Sequence, residues 1–458
     1  MKRPKHLFAL LTAFLMLLSA CAGTAPTVPS TIAPTAAPTE VPTEASTLPP
    51  TEALTEPPTE APDEHAVDSP YLEYPVYTFD HEPSIDEMRA AAVDLMRKAL
   101  TVEWYTPETF EATTSVSKFT FTQYEPYAGI PYTGANASLY GFLAYMNLNT
   151  GRFLIDELVG NQTTKTTGEI VQSMVGASCS GTAAWAILAV ANSIHGRFQC
   201  YYMVYKNGWL PLGDYRYPFS TTTEFGRSPA TDTVQIAADA GTDVMFDAYS
   251  LLQPADVLVV QDMNKMGHTM MATSVPVIVR TEDGKIDGEQ SYVLIQDQRF
   301  NGKPIYDPVT GKAYTGQGRI DYPFTFQNLY EQGYLPMTVA EFQGTKPYEY
   351  PEVKLNKEKT FSEPSDLNGV MLKSNYPIAV VELFATNKAT GVRKRANVKV
   401  FNRKDVEEET AYKFYLNQFG SKLEIKGFLD PGFYQVTVEV RMPNGEVIIP
   451  IEFEYTVS

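Results

Sequence analysis

The stretch "GASCSGTAAWAILAVANSIHG", residues 176–196, decides how this chain is read. It places Cys179, one of three cysteines in 458 residues, in front of a run that is apolar on nearly every side. A surface helix would alternate apolar and polar faces. This run does not, so it predicts a helix over 182–196 buried inside a domain, with His195 in its last turn and Gly196 as its C-cap. Gly176 and Gly181 permit a sharp entry and a close backbone approach.

Three readings of Cys179 compete: half of a disulfide, a buried small hydrophobe, or a nucleophile. A disulfide would have to reach Cys200. A helix over 180–195 is about 24 Å long at about 1.5 Å per residue. The run "QCYYMVY", 199–205, reads as a strand with Cys200 at its beginning. A disulfide needs Cα atoms within about 7 Å, so this spacing argues against one. An inert buried thiol is an ordinary core residue. The nucleophile reading has a chemical argument. Free N–H groups and the helix dipole stabilise a thiolate at a helix start, and the same N–H groups can face an oxyanion. Ser180 is read as a helix cap or a substrate-binding hydroxyl, because no G-x-S-x-G elbow surrounds it.

A thiol nucleophile needs a base, and the chain has five histidines. His6 and His65 fall in the N-terminal segments described below, and His81 lies at the ragged front of the folded part. His195 sits at the far end of the predicted helix, where a cation is ordinarily found. His268 opens "HTMMATSVPVIVR", directly after the strand-like "LQPADVLVV", and is the candidate general base.

The rest of the chain frames these residues. "SIDEMRAAAVDLMRKAL", 84–100, has helical spacing of Met88, Ala92, Leu95 and Leu100. Polar strands and the turn-rich "YAGIPYTG" follow around 117–133, and short helical segments are expected over 137–174. From about 250 the pattern changes to strand-like runs, including "SYVLIQDQ" at 291–298, divided by turn signals. Helices followed by an antiparallel sheet predict an α+β domain over 67–350. Beyond "GTKPYEYPEVKLNKEKTFSEPSD", residues 351–458 alternate apolar and polar positions between Gly-, Pro-, Asn- and Asp-rich turns, which predicts a small all-β sandwich. "LDPGFYQVTVEV" within it resembles immunoglobulin-like modules of bacterial surface proteins. An inert spacer or lid and a ligand-binding module are equal readings of it.

At the other end, Lys2, Arg3 and Lys5 precede an apolar run from Leu7 to Leu18 that is short for a membrane span and has the form of an export signal over 1–20. "LSAC" resembles the lipobox of bacterial lipoproteins, which implies cleavage before Cys21 and a lipid on its sulfur. Residues 21–66 repeat Pro-Thr-Glu with variations, a composition expected to stay extended as a stalk. The expected location is therefore the outer face of a bacterial cytoplasmic membrane, lipid-anchored and reaching into the cell wall. The formal charge is −18, with scattered basic residues, so nucleic acid is a poor partner. HExxH and CxxC patterns and a phosphate loop are absent from the sequence, and no metal or cofactor is expected. Oligomeric state is not legible.

The ordered set "GIPY" at 129–132, "CSG" at 179–181 and "GH" at 267–268 resembles the NlpC/P60-type papain-like cysteine peptidases. The resemblance covers roughly 125–300. It implies an α+β papain-like domain, with a buried helix carrying the nucleophile against an antiparallel sheet. It also implies attack of the Cys179 thiolate on an amide, with His268 as base, often in peptidoglycan stem peptides. Tyr132 matches the family's active-site tyrosine, which binds substrate there or simply packs. The residue orienting the imidazole would come from the strand after the histidine, so both Gln296 and Asp297 are candidates. Alternation puts them on opposite faces. Both faces are apolar, so periodicity leaves the choice open; Asp262 is an outsider. The chain departs from many members in having Ser178 before the nucleophile, and in a longer interval between Cys179 and His268. A non-catalytic surface protein, binding or adhering through a dead domain of this kind, is the alternative.

Overall fold

The computed structural model describes Ala66 and residues 73–113, 118–148, 152–153, 161–163, 170–173, 175–194, 198–205, 208–215, 232–262, 267–299, 305–306, 313–314 and 317–458. The export signal, Cys21, the repeat segment, His6, His65, His195 and Gly196 lie outside the described residues. The described residues belong to one compact unit. Among the described residues, no helix is long and apolar enough to cross a membrane.

The architecture is mixed α+β, with helices packed on antiparallel sheets. Helix α1 (Ile85–Thr101) starts at a capping box: the Ser84 side chain accepts from the Glu87 N–H and the Glu87 carboxylate accepts from the Ser84 N–H. Its buried stripe includes Met88, Ala92, Leu95, Met96 and Leu100, the helical spacing the sequence carries. The guanidinium of Arg89 is pulled inward to the buried Asp256 carboxylate at 2.9 Å and the Pro254 carbonyl at 2.6 Å.

Helix α2 (Cys179–Leu188) is buried at all ten positions. It is shorter than the expected 182–196. Past its end the buried carboxylate of Glu341 accepts the N–H groups of Asn192 and Ser193 at 3.2 and 3.0 Å. The chain then enters a second helix, α3 (Cys200–Tyr205), where a strand was expected. A short apolar run does not distinguish helix from buried strand, and here the N–H groups of Tyr202 and Met203 close onto the Gln199 carbonyl. The helical expectation over 137–174 is met only at Leu139–Leu143; the other described pieces of that stretch are short strands at Met146–Asn147, Arg152–Phe153, Asn161–Thr163 and Ile170–Ser173.

The central sheet has six antiparallel strands: β1 (Trp209–Pro211), β2 (Val257–Val260), β3 (His268–Ala272), β4 (Tyr292–Arg299), β5 (Gln317–Thr325) and β6 (Leu335–Val339). Their spatial order is β5-β4-β3-β2-β6-β1. Helices α1 and α2 pack on each other and on β4, and α2 also packs on β3. Val257, Leu258, Val259, Met270, Met271, Val293 and Ile295 are fully buried, which accounts for the near-continuous apolar runs of β2, β3 and β4.

Beyond 350 the chain builds two further antiparallel sheets. One joins Val353–Leu355, Met371–Ser374 and Lys413–Tyr415. The other orders β8 (Arg393–Val400), β7 (Val380–Asn387), β9 (Gly432–Arg441) and β10 (Val447–Val457) side by side. These sheets are tied to the preceding part of the chain. The Arg395 guanidinium donates to the Ala144 carbonyl at 2.6 Å, the Arg403 N–H to Ala135 at 2.9 Å, and the Tyr77 N–H to Asn444 at 2.8 Å.

Candidate functional site

Cys179 is the first residue of α2, with Ser178 in the N-cap position. Its approach is fixed by backbone stitching to the "GIPY" turn. The Ala177 N–H donates to the Pro131 carbonyl at 3.0 Å, and the Thr133 N–H donates to Ala177 at 3.2 Å. A side chain at Gly176 would stand 2.1 Å from the Pro131 oxygen, so only glycine fits there. Asn136 is the second clamp. It adopts φ 53°, its Oδ1 accepts the Ser178 N–H at 2.6 Å, and its carbonyl accepts the Trp185 indole N–H at 2.7 Å.

A methyl group at Gly181 would lie 2.4 Å from that same Asn136 Oδ1. Gly181→Ala is therefore expected to destabilise the fold by about 1–3 kcal/mol through overpacking, read as a lower urea midpoint. Adding Asn136→Ala should recover part of the loss, and the two effects should not add.

This stitching puts the Tyr132 hydroxyl against the nucleophile candidate: it donates to Cys179 Sγ at 3.6 Å and sits beside the Cys179 backbone N–H. Across from it, β3 begins with His268. The imidazole meets the Cys179 thiol both as a hydrogen-bond partner and as a charge. Its Nε2 lies 2.6 Å from Asp297 Oδ2. An ionised carboxylate only accepts, so Nε2–H is the donor and Nδ1 is the nitrogen not engaged by Asp297.

Asp297 has a second partner that the sequence did not disclose. Arg319 stands directly opposite it in the β4–β5 register and donates from Nε to Oδ1 at 2.9 Å and from Nη2 to Oδ2 at 2.6 Å. The Tyr322 and Phe324 rings flank the guanidinium. Arg299 Nε lies 3.8 Å from the same carboxylate. Burial raises the Asp297 pKa, but the Arg319 and His268 hydrogen bonds outweigh it and hold the carboxyl down at about 2.

Gln296, the other candidate for orienting the imidazole, does not reach it. Its Nε2 donates to the Val93 carbonyl of α1 at 2.8 Å, on the far side of β4 from the Asp297 carboxylate. The β4–β5 pairing slips between Ile295 and Asp297, so β4 is irregular where the two residues part. Gln298 is also structural, donating to the Ile130 carbonyl at 2.7 Å and accepting from the Thr182 hydroxyl of α2. Ser180 does not cap the helix. It is buried, 3.4 Å from the Ser178 hydroxyl, and touches the Cys200 thiol. Asp262 lies in the loop after β2. The exposed ring of His81 is held by Asp80 and Glu87 at the start of α1.

The largest correction concerns Cys200. With α2 ending at Leu188 and α3 starting at Cys200, the Cys200 thiol lies beside the Cys179 thiol and each shifts the other's pKa. Both are free and buried. Cys200 also contacts the Thr269 hydroxyl at 3.3 Å.

These contacts set the charges. The Cys200 hydrogen bond, the His268 charge and hydrogen bond, and the Tyr132 hydroxyl together pull the Cys179 thiol well below its ordinary value, against burial. Cys200 is pushed up by its contact with Cys179 and by burial. Burial works against a charged His268, but the Cys179 charge and the Asp297 hydrogen bond prevail and raise it to about 9. A thiolate beside an imidazolium can attack an electrophilic carbon and then return a proton to a leaving group. Among the described residues no cluster of His, Cys, Asp and Glu is suited to holding a metal ion. No family model, curated protein or solved structure matches the chain.

Proposed function

We propose that the chain is a papain-like cysteine hydrolase that cleaves peptide-type amide bonds, with peptidoglycan stem peptides as the substrate class. The observation that carries this reading is the convergence of Cys179, His268 and Asp297. A helix-start thiol, a strand-start imidazole and a carboxylate from the next strand meet in the order thiol, imidazole, carboxylate. The thiolate attacks the amide carbonyl. His268 protonates the leaving amine, and water deacylates the enzyme with His268 as base. The Cys179 N–H and the Tyr132 hydroxyl, which lie side by side, supply the donors for the oxyanion. Asp297 fixes the ring orientation and stabilises the imidazolium.

The finer fold belongs to the same proposal: a papain-like domain over 67–350 and an immunoglobulin-like sandwich over 351–458. A helix carrying the thiol against the antiparallel sheet that carries the imidazole supports the first, and the paired sheets beyond 350 support the second. Lipid attachment at Cys21 and residence in the cell wall complete the reading.

The test is incubation of the stalk-free protein with purified muropeptides, followed by chromatography and mass analysis. New free amino termini that are absent with Cys179→Ala support the proposal. Intact muropeptides, together with a Cys179 inert to a thiol-directed electrophile, would favour the binding-module alternative.

A further inference from the structure

Cys200 has no place in the hydrolytic scheme, yet it is enclosed by that scheme's residues. Its thiol lies 3.3 Å from the Thr269 hydroxyl on β3 and beside Cys179 and Ser180 at the start of α2. From the other side Gly267 closes over it, where a methyl group would stand 2.6 Å from Cys200 Cβ and 3.0 Å from its sulfur. Cys200 therefore sits between the elements that deliver the nucleophile and the base. Both thiols are free and both are buried, with residue exposures of 3% and 6%. This enclosure admits a small oxidant more readily than a protein thiol.

We propose that Cys179 and Cys200 form a reversible oxidation site, in which a peroxide converts the neighbouring thiols into a disulfide that shields the nucleophile from irreversible oxidation. The inference rests on the thiolate reading of Cys179, but not on any particular substrate. The chemistry balances in two steps. The Cys179 thiolate attacks one peroxide oxygen. An S–O bond forms and the O–O bond breaks, two electrons pass from sulfur to peroxide, and the departing hydroxide takes the His268 proton to become water. Cys179 is then a sulfenic acid. Cys200 next attacks the Cys179 sulfur and gives up its proton. An S–S bond forms, the S–O bond breaks, and the second hydroxide leaves as water with that proton. Two thiols and one peroxide become a disulfide and two waters.

The order of attack follows from the surroundings. Cys179 has the imidazolium and the helix start, so it reacts first. The neighbouring Cys179 charge holds Cys200 protonated, and that hindrance vanishes once Cys179 is a neutral sulfenic acid. Closing the bond brings the neighbouring sulfurs to about 2.05 Å of each other.

The experiment treats the stalk-free protein with hydrogen peroxide, then alkylates it and analyses it by non-reducing peptide mass mapping. The expected result is a Cys179–Cys200 cross-linked peptide lighter by two hydrogens, which dithiothreitol restores to two alkylatable thiols. In Cys200→Ser and, separately, Cys200→Ala, the same dose should take Cys179 to sulfinic acid that dithiothreitol does not reverse. Wild-type protein whose Cys179 gains two oxygens while Cys200 remains alkylatable would overturn the proposal, as would full persistence of both thiols. The mass readout needs no substrate. Disulfide formation without muropeptide cleavage would sink the hydrolase reading and keep this one, and cleavage without a disulfide would do the reverse.

Discussion

Replacing Cys179 by Ala is expected to lower kcat/KM for muropeptide hydrolysis by at least about 10⁴-fold, and His268→Ala is expected to do the same. The double variant should be no worse than either single one, because under the proposed scheme the two residues act as a unit. The warrant is the contact between the thiol and the imidazole, with Tyr132 Oη 3.6 Å from the same sulfur. Neither change should unfold the protein. Cys179→Ala removes one buried sulfur from a helix whose remaining nine residues stay packed, and circular dichroism and the urea midpoint should shift little. A variant that keeps more than a tenth of wild-type activity would remove Cys179 from the chemistry.

The second large effect separates two adjacent residues. Asp297→Ala is expected to cost about 10²–10⁴-fold in kcat, because His268 Nε2–H loses the carboxylate that sets its tautomer and stabilises its charge. Gln296→Ala should leave kcat within a few-fold and instead lower stability by about 1–3 kcal/mol, since it empties a fully buried side-chain volume between β4 and α1 and removes the hydrogen bond to the Val93 carbonyl. Arg319→Ala should fall between them. It releases the carboxylate that Arg319 grips by two hydrogen bonds, and Arg319→Lys should restore only part of the loss because a lysine cannot make the fork. The pattern to check is kcat falling for Asp297 and Arg319 while the urea midpoint falls for Gln296.

That contrast also shows what the sequence could and could not yield. The buried helix behind Cys179 and the strand opening at His268 were legible, because one rests on an apolar run without a polar face and the other on a Gly-His turn between two apolar runs. The choice between Gln296 and Asp297 was not. Alternation separates their faces, but both faces of β4 are covered, so hydrophobicity carries no sign. The decision lies in the strand register, which sets Arg319 opposite Asp297. Cross-strand register is a tertiary fact with no local pattern.

Cys200 was misread for a related reason. Its aromatic-rich heptapeptide suits a strand or a short buried helix, and the outcome depends on where α2 ends. The stretch just past that end is held by Glu341, about 150 residues away in sequence, through the Asn192 and Ser193 N–H groups. Asn136 escaped notice similarly: its use lies in meeting Gly181 and the Ser178 N–H across a loop.

The central claim is that Cys179 is a thiolate held by an imidazolium, and the pH dependence of its alkylation tests it most directly. The Cys179 pKa is depressed, so the thiolate is present above that lowered value; the His268 pKa is raised to about 9, so the imidazolium is present below that pH. Iodoacetamide modification of Cys179, followed by peptide mass analysis from pH 5 to 10, should therefore remain fast well below the ordinary thiol value of about 8.5, with a change in rate near pH 9 as His268 loses its proton. In His268→Ala the profile should collapse to a single rise at higher pH. A wild-type Cys179 that titrates as an ordinary thiol near 8.5, with the same profile when His268 is removed, would contradict the account.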